Sequence, residues 1–343
     1  MGIERAWVEL LGTLAVGAAG AALFWLLGFP AAVLTGPAAA VTVATMLGMP
    51  TLIPPLLRDG VFVVIGLTIG STVTPEVIGT ALAWPLSLFV LGVTLFMALK
   101  LGQTVLMRGF KFDRMTALMS AAPGHLSYVL SICADTAADV RRVALVQTVR
   151  VLLLTLLVPV LVSAWGVTGT AHLVDHGTIA PVALAMTFAL AIAAGLLLKR
   201  LRIPAPLLIG AMIVSGIGHG ANVTPGTVPS WLTVIAFVCM GSLIGARFRG
   251  FGRREFSGAL SAGVVMTFLV CAVAALGALV AAHITGLSPA ALLLAFAPGG
   301  VEIMAALAVE TGLEPAFVAA HHVFRLLILG MFIPLLVMRN RSL

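Results

Sequence analysis

Apolar stretches broken by short polar or turn-rich intervals recur from one end of the chain to the other. In the first half they fall at about 8–28, 31–48, 57–73, 83–107, 115–133 and 141–164. In the second half they fall at about 180–199, 204–220, 230–246, 257–283, 289–309 and 315–337. Most hold near 20 residues, and at 1.5 Å per residue such a helix crosses a hydrocarbon core of ~30 Å. The pattern predicts a bundle of membrane-spanning helices. The fifth stretch of each half is different, because a Pro-Gly break interrupts it: APGHLSYVL from Ala122 to Leu130, and APGGVEIMA from Ala297 to Ala305.

The two halves repeat one another. Pro30 in FPAAVLTG answers to Pro204 in IPAPLLIG, Gly66 and Gly70 in GLTIG to Gly241 and Gly245 in GSLIG, and Pro123 to Pro298. Arg150 answers to Arg325 and Pro159 to Pro334. The separation is 174 residues at the first landmark (204 − 30) and 175 at the others (298 − 123, 325 − 150). A fixed period of this length is the mark of an internal duplication, with repeat 1 at 1–168 and repeat 2 at 176–343.

Charge placement decides how many stretches cross. Basic residues cluster at Arg5, Arg58, Arg108-Lys111-Arg114, Arg141-Arg142, Lys199-Arg200-Arg202, Arg247-Arg249-Arg253-Arg254 and Arg339-Arg341. Cytoplasmic loops collect Lys and Arg. If every stretch crossed, three of these clusters would face outward. If the fifth stretch of each repeat enters and returns on one side, all of them face inward, and the intervening loops on the other face carry no Lys or Arg. The expected architecture is therefore an all-α polytopic membrane protein of two repeats, each with five transmembrane helices and one re-entrant hairpin, at about 115–133 and 289–309. Five is odd, so the repeats are inverted, a common build of secondary transporters. Both termini are expected on the cytoplasmic side of a bacterial inner membrane.

Composition agrees with a lipid environment. Apolar residues make up 61% of the 343 and charged residues 9%, where soluble domains carry about 25% charged. The net charge of +7 lies in inter-span clusters with no aromatic interleaving, so nucleic acid is not an expected partner. Cys133, Cys239 and Cys271 lack CxxC spacing and read as small buried hydrophobes. The apolar run after Arg5 is longer than a signal-peptide core and has a counterpart in mid-chain, so it reads as a retained first span.

Few residues offer chemistry. Pro123, Gly124, His125 and Ser127 lie at one break, and Pro298, Gly299, Gly300 and Glu302 at the other. Proline removes a backbone donor and glycine accepts turn dihedrals. Helix ends at such breaks present N–H groups suited to an anion. Arg150 stands eight residues beyond Arg142, ~12 Å further along a helix axis, and Arg325 takes the matching place. Gln147 and His322 each precede an arginine by three residues, on the same face. An arginine at that depth either marks a ligand pathway or serves as glue, capping carbonyls or pairing with a carboxylate. Glu302 could bind Na⁺, carry a proton, or neutralise Arg325 or Arg150. GLTIG and GSLIG have the small-xxx-small spacing of close helix packing. His321 and His322 are ~100° apart on a helix and poorly placed to chelate together. No metal site, phosphate loop or nucleophile elbow appears, so no catalytic residue or cofactor is expected.

The sequences APGHLS, APGGVEIM, VALVQTVRVLLLTLLVP and VAAHHVFRLLILGMFIP together resemble the bacterial AbrB membrane family, known for an internal duplication. The resemblance spans nearly the whole chain. Its specific parts are a P-G-G-x-E/S-x-M break, here Pro298 to Met304, and an H/Q-x-x-R helix, here His322 to Arg325. Repeat 1 departs at His125, where glycine is expected, and at Val129, in place of methionine. The resemblance implies an inner-membrane protein associated with regulation of gene expression. Members often carry an ammonia monooxygenase label, which this sequence does not support, since it holds no copper-ligand set. The layout also looks like glutamate/Na⁺ and citrate carriers, an analogy of fold alone. Two readings follow: a secondary transporter of a small carboxylate-like anion, coupled to Na⁺ or H⁺ if coupled at all, or a membrane regulator without transport. A homodimer is compatible with either.

Overall fold

The computed structural model describes residues 2–73, 84–122, 126–134, 136–164, 177–201, 203–221, 223–224, 226–251 and 253–341. Pro123, Gly124 and His125 lie outside the described residues. The chain is an all-α polytopic membrane protein. Repeat 1 contributes α1 (Gly2–Leu26), α2 (Ala32–Met46), α3 (Pro55–Gly70), α4 (Trp84–Phe110), α5 (Arg114–Ala121), α6 (Leu126–Ala134) and α7 (Val140–Ala164). Repeat 2 contributes α8 (Pro181–Arg200), α9 (Pro206–Gly220), α10 (Ser230–Ala246), α11 (Arg253–Thr285), α12 (Pro289–Phe296), α13 (Val301–Thr311) and α14 (Pro315–Arg341). Among the described residues, the β-type pairing is a lone bridge between Thr178 and Thr227.

Helix boundaries recur with the sequence period. Arg114 and Pro289, the first residues of α5 and α12, are 175 apart (289 − 114), and so are Val140 and Pro315, which open α7 and α14. Backbone conformations recur as well. Ala31 (φ 52°, ψ 41°) and Ala205 (φ 50°, ψ 48°) both stand in the left-handed region before α2 and α9. Lys111 (φ 57°) has Gly286 (φ 71°) at its matching place.

Among the described residues, five helices are long and apolar enough to cross a membrane: α1 (over Glu4–Leu26), α4, α7, α8 and the Leu260–Thr285 part of α11. Four of them, all but α7, bury 17–39% of their most apolar window, whereas α7 buries 67%. The exposed side chains of those four helices include Trp25, Phe89, Phe96, Leu190, Phe268 and Leu276. In water such a surface would drive aggregation. Toward lipid tails it costs nothing, and every backbone polar group within the helix is satisfied internally.

The chain forms two compact units, each drawing on both repeats. One comprises 1–81, 155–251 and 305–317, and the other 82–154, 252–304 and 318–343. The first unit is held together by small residues. A Cβ on Gly66 of α3 would overlap the Leu208 carbonyl of α9, and one on Gly241 of α10 would overlap the Leu34 carbonyl of α2. In lipid, where apolar burial gives no drive, this close backbone approach supplies the dispersion contact that associates helices. At one end, Arg249 donates to the Glu9 carboxylate at 2.7 Å and to the Thr51 carbonyl at 2.8 Å.

In the second unit α4 and α11 flank a core that includes Leu106, Met119, Val129, Val146, Met266 and Leu329. The fifth stretch of each repeat holds two short helices, α5 and α6 in the first and α12 and α13 in the second. Eight residues of α5 or α12 rise only ~12 Å. Each opens on a side-chain cap at the matching position. Asp113 accepts from the N–H of Met115 at 3.0 Å and Thr116 at 2.8 Å, and Ser288 accepts from Ala291 at 3.4 Å. The N–H of Asp139, just before α7, donates to the Thr116 hydroxyl at 2.8 Å, joining positions 23 residues apart.

Candidate functional site

The second unit gathers the described charged and polar candidates around the ends of α5 and α12. Gln147 and Arg150 come from α7, His322 and Arg325 from the matching part of α14, and Glu302 from the first turn of α13. Arg150, Arg325 and Glu302 are 2%, 1% and 3% exposed, and Gln147 and His322 are equally buried. The arginines rank with the largest fully enclosed side chains in the molecule. Arg325 lies within electrostatic range of both Arg150 and Glu302.

Each arginine helix clasps the short helix beside it, at matching carbonyls. The Gln147 amide nitrogen donates to the Met119 carbonyl at 2.9 Å and the Ala122 carbonyl at 2.8 Å. These are the last carbonyls of α5, which have no partner within the helix. In repeat 2 the equivalent carbonyls belong to Leu294 and Ala297. His322 Nε2 meets the Leu294 carbonyl at 3.1 Å, so that nitrogen carries the hydrogen, and Arg325 Nη1 donates to the Ala297 carbonyl at 2.6 Å. Arg325 Nη2 donates to the Gly299 carbonyl.

One glutamine thus does in repeat 1 what a histidine and an arginine share in repeat 2. Arg150 is left with a different role. Its Nη2 donates to the Gln147 side-chain oxygen, and its Nε and Nη1 have no hydrogen-bond partner among the described residues. Among the described residues, Cys271 of α11 and Arg325 are the ionisable side chains in its electrostatic range. A guanidinium buried without a carboxylate costs several kcal/mol unless a ligand compensates it.

Gly299 and Gly300 shape the second break. A Cβ on Gly299 would lie 2.6 Å from the Met304 methyl, and one on Gly300 would lie 3.1 Å from the Glu302 carboxyl group. The Gly299 N–H is engaged with the Ala297 carbonyl at 2.9 Å, so at this residue the backbone serves Arg325 as an acceptor and is not an open donor. Ser127 lies in α6. Sequence reasoning missed Ser87, whose hydroxyl sits 2.8 Å from His321 Nε2 in the same unit, with the rings of Trp84 and Phe296 near the imidazole. A lone serine in the apolar run WPLSLF was its available signal. Among the described residues no three His, Cys, Asp or Glu side chains come together as metal ligands.

Fold and site define a polytopic helical membrane protein that buries an arginine from each half of the sequence, Arg150 and Arg325, with Glu302 in electrostatic range of Arg325. The chain belongs to the AbrB family: the family described as "Transition state regulatory protein AbrB" matches residues 33–340. It is 32% identical over 270 residues to "Uncharacterized protein YhjN" of Bacillus subtilis (strain 168), covering 72% of this chain and 69% of that one. It is 27% identical over 308 residues to "Putative regulator AbrB" of Escherichia coli (strain K12), covering 87% of this chain and 86% of that one.

Proposed function

We propose that this chain is a secondary transporter for a small carboxylate-like anion, working by alternating access in a bacterial inner membrane. The observation that carries the reading is the burial of Arg150 and Arg325 within electrostatic range of one another, with Glu302 in range of Arg325. Two cations against one anion leave a positive excess in a low-dielectric site. Intramembrane charges of this kind mark ligand or ion pathways. Glu302, at the first turn of α13, is the candidate for a coupling Na⁺ or proton.

In this reading each interrupted stretch is a re-entrant hairpin, and the repeats are inverted. The Thr116–Asp139 bond supports that for repeat 1, since a stretch that crossed would part its ends by ~30 Å. For the whole chain it is supported by the charge pattern, because this topology puts every basic cluster on one face, the cytoplasmic one, together with both termini. Non-helical backbone at such breaks persists where it is buried in protein or lines a cavity. No catalytic step is assigned.

A second reading, a membrane regulator without transport, is favoured by the family's description and by the name of the Escherichia coli relative. The deciding experiment places the purified protein in liposomes and follows radiolabelled acetate, lactate, succinate and citrate, with and without Na⁺. Saturable uptake above empty liposomes supports transport. Binding of an acid, seen as a raised unfolding temperature, with no uptake under any gradient would favour the regulator.

A further inference from the structure

We infer that the two arginines divide the labour: Arg150 alone contacts the anion, and Arg325 is a positioning residue that fixes the second break. This inference rests on the anion-site reading above. Spacing makes the arginines look equivalent, but their partners differ. Arg325 spends two nitrogens on the Ala297 and Gly299 carbonyls and has Glu302 within electrostatic range. Both terminal nitrogens are engaged by the protein, and Nε is the Arg325 nitrogen without a partner among the described residues. Arg150 is 2% exposed, and its Nε and Nη1 have no partner among the described residues. Those two nitrogens hold three N–H donors, which suit carboxylate oxygens.

Gln147 makes the difference. By donating to both Met119 and Ala122, it occupies the carbonyl that Arg325 takes in repeat 2, and its oxygen steers Arg150 through Nη2. A histidine at 147 would have one N–H to give in that direction, as His322 does toward Leu294. The Ala122 carbonyl would then draw Arg150 away from the ligand. The charge inventory also narrows the ligand class. Among the described residues, two guanidiniums against one glutamate leave one uncompensated positive charge, which a monocarboxylate neutralises. A second carboxylate would enter a desolvated site with no further cation to meet it among the described residues.

The test needs two readouts, one of which uses no ligand. Unfolding temperature is measured on full-length protein in detergent for the parent, Arg150→Met, Arg325→Met and Gln147→His. Removing Arg325 strips two buried carbonyls of their donor, so Arg325→Met is expected to unfold several degrees lower. Removing Arg150 deletes an uncompensated buried cation, so Arg150→Met is expected to match or exceed the parent. Equal destabilisation by both overturns the division of labour.

The second readout is the temperature shift produced by acetate, lactate, succinate, citrate and inorganic phosphate. Acetate or lactate should stabilise the parent more than succinate, citrate or phosphate do. Arg150→Met and Gln147→His should lose that shift while remaining folded, and Arg325→Lys should keep most of it. A response retained in Gln147→His, or a larger shift with succinate or phosphate, overturns the inference and leaves an anion site in place. No shift in the parent with any of the five anions overturns the anion site, and this inference with it.

Discussion

Gly66 and Gly241 meet the same kind of neighbour at two matching crossings, the first against the Leu208 carbonyl and the second against the Leu34 carbonyl. Each contact joins a helix of one repeat to a helix of the other. Neither position has room for a side chain. Gly66→Val and Gly241→Val should each lower stability by ~1–3 kcal/mol or prevent purification, the usual range for overpacking a close contact. Gly109, in α4, provides the contrast, because a Cβ there would meet nothing within 4 Å. Gly109→Ala should raise stability by ~0.5–1 kcal/mol through helix propensity. Thermal unfolding in one detergent compares the three.

The left-handed alanines give a second prediction. A left-handed conformation costs a residue with a Cβ roughly 1–2 kcal/mol, and Ala31 and Ala205 both adopt it (φ 52° and 50°). Glycine removes that cost but loses ~0.4–1 kcal/mol through the freer unfolded chain. Ala31→Gly and Ala205→Gly should therefore leave stability unchanged or raise it by up to ~1.6 kcal/mol. Lys111→Gly should behave alike, since the matching position is already Gly286 at φ 71°. A clear loss in any of the three would mean that the side chain makes a contact worth more than the strain.

Much of this arrangement can be read from the residues alone. Apolar stretches of near-span length indicate the helices, and the spacing of Pro30, Gly66 and Arg150 from their partners indicates the repeat. GLTIG and GSLIG signal close packing, and the structure puts it at Gly66 and Gly241. Partner choice at the site is less legible. Periodicity places Gln147 and His322 on the arginine faces, but it cannot say which carbonyls they reach, because that depends on how α5 packs beside α7 and α12 beside α14. Arg150 and Arg325 are alike in spacing. They differ because an amide spans two carbonyls and an imidazole one. Ser87 escaped notice because its partner, His321, is 234 positions away. The two compact units, which interleave the repeats, follow from long-range packing and have no signature in local pattern.

Asp113 connects the cap of α5 to pH. Burial draws its carboxyl upward, but hydrogen bonds from the Thr116 hydroxyl and N–H and from the Met115 N–H outweigh this and hold it below its ordinary value. A depressed carboxyl adds stability above the unfolded-state pKa, near ~3.9 for aspartate. That contribution is lost as pH falls through the folded-state value. Asp113→Asn keeps a good cap but cannot titrate, so its stability should be flatter than the parent's below about pH 4. Asp113→Ala should cost ~1 kcal/mol at neutral pH. Unfolding temperatures across the acid range, with the same fall in Asp113→Asn as in the parent, would assign the acid limb to other groups.

The last prediction concerns which side of the membrane each interrupted stretch returns to. In repeat 1 the bond from the Asp139 N–H to the Thr116 hydroxyl ties the two ends of the stretch together at 2.8 Å. Lys111 before the stretch and Thr136 after it should then face the same compartment. Inverted repeats require the opposite face for the equivalent ends in repeat 2, probed at Gly286 and Gly312. Both of these glycines have positive φ (71° and 67°) and stand just outside their helices. Single cysteines at the four positions, in a background with Cys133, Cys239 and Cys271 replaced, can be labelled with a membrane-impermeant maleimide on intact spheroplasts and on inverted vesicles. Lys111→Cys and Thr136→Cys should react in inverted vesicles, and Gly286→Cys and Gly312→Cys in spheroplasts. Reaction of Thr136→Cys in spheroplasts would make the first stretch a crossing and would leave Arg141 and Arg142 outside. Reaction of all four from one side would keep the hairpins but remove the inversion, and the alternating-access proposal would lose its structural basis.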